Sequence, residues 1–178
     1  MLKKVLIASV MLGGCVSNAF AGFYMGPLVA YDSITSHGIG YLDINPRLSA
    51  GYGDVIRDSV YLAGEAFLGP KSFTVKNSPT DQGSLRTSYN YGFSLLPGYW
   101  LDDVILAYAR LGIIETHFSS NEVDETRRGY QVGAGIQTNL STTWSIRGEY
   151  AHTSYVTVDN LGKPKADQFG IGLIYHYT

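Results

Sequence analysis

From Gly22 onward the chain keeps a period of two, and any fold must satisfy that alternation. Eight stretches of strand length can be marked off: Gly22–Ile34, Leu42–Tyr52, Ser59–Gly69, Leu85–Trp100, Val104–His117, Arg127–Leu140, Thr142–Val156 and Asp167–Tyr177. They are rich in Tyr, Val, Ile, Thr and Phe, which suit a pleated surface. Tyr130, Val132, Ala134 and Ile136 share one parity; Gln131, Gly133, Gly135 and Gln137 share the other. Trp144, Ile146 and Tyr150 alternate with Ser145, Arg147 and Glu149, and Phe169, Ile171, Leu173, Tyr175 and Tyr177 alternate with Gly170, Gly172 and His176. Val60, Leu62 and Leu68 oppose Tyr61 and Glu65; Ile105, Ala107, Ala109, Leu111 and Ile113 oppose Tyr108, Arg110 and Gly112. A strand sends successive side chains to opposite faces, so these sets part onto the two sides of a sheet. No long stretch after Gly22 reads as a helical stripe.

Two architectures can use the pattern. A soluble sandwich buries the apolar face and wets the polar one. A membrane barrel turns the apolar face to lipid and the polar face inward. Glu65, Arg110, Arg147 and Glu149 sit mid-strand among small and polar neighbours. On a sandwich they are surface charges; inside a narrow barrel they must pair, and their balanced signs fit that demand. The connections also favour the barrel. Gly53–Asp58, Leu101–Asp103 and Asn139–Thr143 are tight, whereas Ser36–Gly40, Pro70–Ser84, Ser119–Thr126 and Thr157–Ala166 are longer and more polar. Short turns at one rim and longer loops at the other belong to up-and-down membrane barrels. Each stretch has the roughly 9–11 residues a strand needs to span a bilayer, or more. Phe23, Tyr24, Tyr99, Trp100, Trp144, Tyr155, Tyr175 and Tyr177 lie near strand ends, as an interfacial girdle requires. The expected fold is an all-β, eight-stranded antiparallel up-and-down transmembrane β-barrel.

Composition agrees. Charged residues make up 16% of the 178, below the roughly 25% of a soluble domain. Mean hydropathy is nevertheless +0.00, as the average of a lipid-facing half and a polar half. The net charge of -2 is too small for a nucleic-acid-binding face. One cysteine excludes a disulfide framework and any cysteine-rich metal site. No cofactor is expected.

The first residues read as a leader. Lys3 and Lys4 precede the apolar run Val5–Leu12, and Ala19-Phe20-Ala21 offers small residues at the two positions a signal peptidase reads. The expectation is a signal peptide over 1–21 and a barrel domain over 22–178. Leu12-Gly13-Gly14-Cys15 offers a second processing route, a lipoprotein-type site that would leave Cys15 acylated. A membrane-anchoring helix is the third reading, opposed by Gly13, Gly14, Asn18, Gly22 and Pro27.

Gly22-Phe23-Tyr24-Met25-Gly26, Leu48-Ser49-Ala50-Gly51-Tyr52, Gly129-Tyr130-Gln131-Val132-Gly133-Ala134-Gly135 and Trp144-Ser145-Ile146-Arg147-Gly148-Glu149-Tyr150 resemble strands of the outer membrane protein A-like small barrel family. The resemblance runs over the whole chain after the leader. It implies an eight-stranded barrel in the outer membrane with both termini in the periplasm. It further implies a structural, adhesive or host-interaction role, sometimes a narrow pore, and no enzyme activity in most members. Partners on this reading are outer membrane lipids and lipopolysaccharide, with a host-surface or extracellular ligand at the loops; the expected state is a monomer. Members usually end on an aromatic residue, whereas this chain ends Tyr175-His176-Tyr177-Thr178. The glycines of Gly129–Gly135 alternate along a strand with no helix following, so they are not a nucleotide loop.

An enzymatic alternative rests on resemblance to barrel lipid A deacylases, which carry a His-x-Ser pair and an acid on the next strand. His152-Thr153-Ser154 has that spacing, and Asp167 opens the following stretch with the same outward parity. A serine nucleophile, a histidine base and an orienting acid would then hydrolyse an acyl ester on the lipid-facing side. That pattern, however, has Glu and a following Asn where this chain has Asp167 and Tyr155. His37 and His117 are too isolated for a metal site. Asn121–Glu125 reads as an acidic loop segment. Pro70–Ser84, the longest connection, holds Lys71, Lys76, Pro79 and Asp81 and is the best candidate for partner contact. Eight strands leave room only for side chains, so the interior is expected to be plugged.

Overall fold

In a computed structural model of the protein, residues 22–36, 39–70, 73–76, 86–119, 124–156 and 165–177 are described. The expected leader, Cys15 within it, lies outside the described residues, as do His37 and most of the Pro70–Ser84 connection. The strands are β1 (Gly22–Ser36), β2 (Ile39–Arg57), β3 (Val60–Gly69), β4 (Phe73–Lys76), β5 (Arg86–Trp100), β6 (Ile105–Ser119), β7 (Asp124–Asn139), β8 (Trp144–Tyr155) and β9 (Lys165–His176). Each pairs antiparallel with its chain neighbour, except that β4 lies beside β2 and β5 beside β3. Since β2 pairs β3 through Leu48–Arg57 and β4 through Leu42–Ile44, β4 extends the stave begun by β3. β1 bonds to both β2 and β9, which closes the sheet into a barrel of eight staves. Closure gives each of the eight staves a ladder partner on both sides, the condition for crossing lipid with strands. One closed sheet also disposes of the sandwich, which needs two.

The alternation sorts the faces. Along β8, residues at even positions such as Trp144, Ile146 and Tyr150 face out, while Ser145, Arg147, Glu149, Ala151, Thr153 and Tyr155 are buried inside. Exposed Val29, Leu48, Leu62, Phe93, Leu111, Val132, Ile136, Ile171 and Leu173 give the outside an apolar coat. Inside, large rings need small residues opposite. A methyl on Gly53 would stand 1.9 Å from the Tyr61 hydroxyl, and one on Gly135 would stand 2.4 Å from the Tyr108 ring.

The tight turns and both ends of the described chain share one rim. Asp58 takes φ 48° in the two-residue turn between β2 and β3, a left-handed conformation that Asp tolerates. Asp102 Oδ1 accepts from the backbone N–H groups of Val104 (2.8 Å) and Ile105 (2.7 Å), and Ser141 Oγ accepts from that of Trp144 (3.1 Å).

Several expectations are corrected. Ser36–Gly40 and Ser119–Thr126 are not long loops: ladder pairing reaches Ser36↔Ile39 and Ser119↔Asp124. Asp124 and Glu125 therefore belong to β7, not to an acidic loop. Gly53–Asp58 is mostly strand, since β2 runs to Arg57. Of the expected girdle, Tyr24, Trp100 and Tyr155 are buried in the lumen, because parity overrides nearness to a strand end. Phe23, Tyr99, Trp144 and Tyr177 do face out, and Trp144 and Tyr175 meet edge-to-face with centroids 5.0 Å apart. A second outward aromatic band, nearer the other rim, comprises Tyr31, Tyr89, Tyr91, Tyr130 and Tyr150.

Candidate functional site

The lumen is layered. Nearest the rim of tight turns, Tyr24, Tyr61, Ala63, Leu96, Trp100, Leu106, Tyr108 and Ile174 form an apolar and aromatic cluster. Phe67, Ile114, Tyr155 and Ala166 form a smaller one toward the other rim. Between them lies a charged layer.

The four charges expected on the inner face come together there. Arg110, from β6, reaches Glu65 on β3 and Glu149 on β8: Nη2 donates to Glu65 Oε1 at 2.5 Å and to Glu149 Oε2 at 2.9 Å. Its Nε adds a bond to Glu149 Oε2 (3.2 Å), and its Nη1 donates to Ser94 Oγ on β5 (2.9 Å). Arg147, on β8, bonds Glu65 Oε2 through Nη1 and Gln137 Oε1 through Nε (3.2 Å) and Nη2 (3.0 Å). The hydroxyls of Tyr24 and Tyr108 donate to Glu65 (3.1 Å) and Glu149 (2.8 Å), and Arg147 stands 5.3 Å from each of those two ring centroids. All four charged side chains are at most 3% exposed. A buried charge is tolerable only when paired and hydrogen-bonded, and this layer provides both through contacts that reach from β3 to β8.

Two more charges share the lumen and were not singled out from the sequence. Arg47, on β2, lies 4.4 Å from the Phe67 ring centroid, with Nη1 4.0 Å from Glu149 Oε1. Asp32, on β1, accepts from Asn45 Nδ2 (3.0 Å) and Gln168 Nε2 (2.6 Å). The signal for Arg47 was available: Asn45, Arg47 and Ser49 alternate with the outward Ile44 and Leu48.

The outer face carries a second polar group. His152, Ser154 and Asp167 meet at the seam of β8 and β9, where His152 and Asp167 are in register. His152 Nδ1 is 2.8 Å from Asp167 Oδ1, and Ser154 Oγ is 3.4 Å from His152 Nε2. Tyr150 donates to the same Asp167 Oδ1 at 2.6 Å. The order of contacts is that of a serine–histidine–acid chain, yet the serine contact is long for a hydroxyl hydrogen bond. Ser154 is also in register with Tyr130 on one side and Lys165 on the other, so among the described residues ladder pairing occupies the backbone amides flanking the serine. Nearby on the same face, Glu115 accepts from Arg128 Nη2 (2.7 Å) and from the Tyr91 hydroxyl. His117 stacks on Tyr89, centroids 4.9 Å apart, and its Nδ1 meets Thr126 Oγ1 at 3.0 Å. Among the described residues, no group of three or more His, Cys, Asp or Glu is placed to hold a metal ion.

A closed eight-staved barrel with a lipid-compatible coat and an interior filled by paired charges is a transmembrane barrel of the outer-membrane type. The family model for the outer membrane protein beta-barrel domain matches residues 5–177, and the chain belongs to that family. It is thus an integral protein of the outer membrane. Neisserial surface protein A superposes with a TM-score of 0.67 at 17% identity, covering 88% of this chain and 98% of that one. Ail, the attachment invasion locus protein of Yersinia pestis, gives 0.58 at 16% identity, over 88% and 99%. The outer membrane enzyme PagL gives 0.51 at 12%, over 82% and 97%. At these identities the likeness is one of fold. No curated protein sequence matches the chain.

Proposed function

We propose that the protein is a non-enzymatic scaffold of the outer membrane, its lumen closed and its outward connections serving surface recognition or adhesion. The observation that carries this reading is the charged layer. Arg110 and Arg147 tie β3, β5, β6, β7 and β8 together across the bore, so the residues that would line a pore are spent on one another. With the interior committed to structure, the connections on the rim opposite the tight turns remain for contact with partners, and a rigid barrel is a suitable mount for them. Ail has been crystallised with a heparin analogue, sucrose octasulfate, which makes sulfated glycans a reasonable first probe here. Contact with lipopolysaccharide follows from the apolar coat and the outer aromatic band. Export would use the leader 1–21, and the mature protein would begin at Gly22.

The test combines two measurements. Purified barrel in a planar lipid bilayer should give no steady conductance; a stable open channel would overturn the closed lumen. Cells displaying the protein should bind immobilised sulfated glycan or host cells, and replacing residues 77–85 by a short Gly-Ser linker should lower that binding while heat-modifiable gel mobility persists. Unchanged binding to every surface tested, with and without the replacement, would overturn the recognition role. Cleavage is checked by N-terminal sequencing, and any start other than Gly22 rejects it.

A further inference from the structure

Toward the rim of tight turns the charged layer ends on a histidine. His176, the last residue of β9, bonds through its backbone N–H to Thr143 in the β7–β8 turn. Its half-buried ring lies against Tyr24 of β1, centroids 6.0 Å apart. From β7 and β8 it meets Gln137, Ser145 and Arg147. His176 Nε2 is 2.9 Å from Ser145 Oγ and 3.4 Å from Gln137 Nε2, and Arg147 is the charged group that acts on the imidazole. The orientation of Gln137 follows from chemistry. A guanidinium can only donate, so Gln137 turns Oε1 to Arg147, which bonds it through Nε (3.2 Å) and Nη2 (3.0 Å). The Gln137 Nε2–H group then faces His176 Nε2, which accepts it as a lone pair, so the neutral ring carries its proton on Nδ1. Ser145 is the adaptable neighbour: its hydroxyl donates to Asn139 Oδ1 (2.7 Å) and leaves its oxygen open to a donor. A proton on His176 Nε2 therefore suits Ser145 and not Gln137, whose N–H would face another N–H. Turning the amide over would present N–H groups to Arg147 instead. One amide cannot accept from an imidazolium at one end and a guanidinium at the other, and the two cations repel in a partly buried space.

We propose that His176 is a proton-operated latch on the charged layer. With the ring neutral, Gln137 holds Arg147 in line with Glu65. With the ring protonated, Gln137 lets Arg147 go, and the hydrogen bond left to Arg147 is the one to Glu65. Arg110 is not part of the latch and keeps both glutamates in either state. Imidazole takes up its proton near about pH 6.5 in water, so acidification is the trigger. The latch does not depend on what the outward connections bind.

The test is nuclear magnetic resonance on refolded barrel in lipid nanodiscs, titrated from about pH 8 to about pH 4 across the imidazole range. The Gln137 side-chain amide and the Arg147 Nε–H resonances should shift with the same midpoint as the His176 ring. In His176→Phe, which keeps a ring beside Tyr24, both shifts should be lost. Gln137→Glu offers an acceptor to each cation, so there the Arg147 shift should be lost although His176 still titrates. If one variant does not fold, the other carries the comparison. Gln137 and Arg147 resonances that stay still while the wild-type ring titrates overturn the latch. So does a ring that takes no proton in the folded barrel, and so do Arg147 shifts that persist in His176→Phe or in Gln137→Glu.

Discussion

Strand β8 contributes to two charged clusters of opposite parity. Arg147 and Glu149 point into the lumen; His152, with Tyr150 and Ser154 beside it, points out. The inner pair belongs to a network with Glu65 and Arg110 in which the side chains are at most 3% exposed. The outer pair, His152 and Asp167, is 33% and 49% exposed. Both clusters have short contacts, so geometry alone does not rank them. Burial within the barrel does: removing one member of the inner set strands a charge in an enclosed low-dielectric space, whereas the outer pair is not enclosed by protein.

The largest effect should come from Arg110, which bridges both glutamates. Arg110→Ala should cost about 3–5 kcal/mol by leaving Glu65 and Glu149 short of partners. Urea unfolding in lipid vesicles, followed by the fluorescence of Trp100 and Trp144, would show it. A loss under 1 kcal/mol would mean that the lumen solvates these charges. The sharper form is a paired replacement. Glu65→Leu with Arg147→Met removes one charge of each sign, and such exchanges are often neutral or stabilising by about 1–4 kcal/mol. The double variant should therefore be more stable than Glu65→Leu alone.

Two glycines carry the inside–outside contrast into packing. Gly135 faces the Tyr108 ring, while a methyl on Gly148 meets nothing within 4 Å. Gly135→Val should cost about 1–3 kcal/mol by overpacking. Gly148→Ala should stay within about 0.5 kcal/mol, as surface changes do. Equal losses at both would break the parity assignment for this part of the barrel.

Parity was the legible part of the fold. It separates Arg147 and Glu149 from Tyr150 with no knowledge of which strands touch. What it does not contain is the closure. Glu65 and Arg147 are 82 residues apart and meet only because the sheet curls back on itself. Arg47 follows the same rule, since Asn45, Arg47 and Ser49 are buried and alternate with the outward Ile44, Pro46 and Leu48. Tyr24, Trp100 and Tyr155 lie near strand ends, where a girdle is expected, yet each shares the parity of its strand's buried residues, as Tyr155 does with Arg147 and Glu149. The loops looked longer than they are because ladders can run past the membrane on polar residues such as Ser36, Ser119 and Asp124, which carry no strand signal of their own. The meeting of His152 with Asp167 was within reach of the sequence, since both share outward parity at a single hairpin seam.

The smallest effects should come from that outer seam. Asp167→Asn weakens its contacts to His152 and Tyr150, and at an exposed site that should cost about 0.2–1 kcal/mol. Catalysis is the more demanding question. A working serine nucleophile needs a base within about 2.6–3.2 Å and a pair of donors aimed at the developing oxyanion. Here the serine–histidine separation is 3.4 Å. The strands flanking Ser154 spend their backbone groups on each other, and Asp167 Oδ1 is shared with the Tyr150 hydroxyl, which dilutes its hold on the imidazole. A seam clamp predicts no turnover. Lipid A from cells expressing wild type, His152→Ala or Ser154→Ala should carry the same number of acyl chains by mass spectrometry. Loss of one chain in the wild type alone would reverse the ranking of the two clusters and make the exposed one the functional centre.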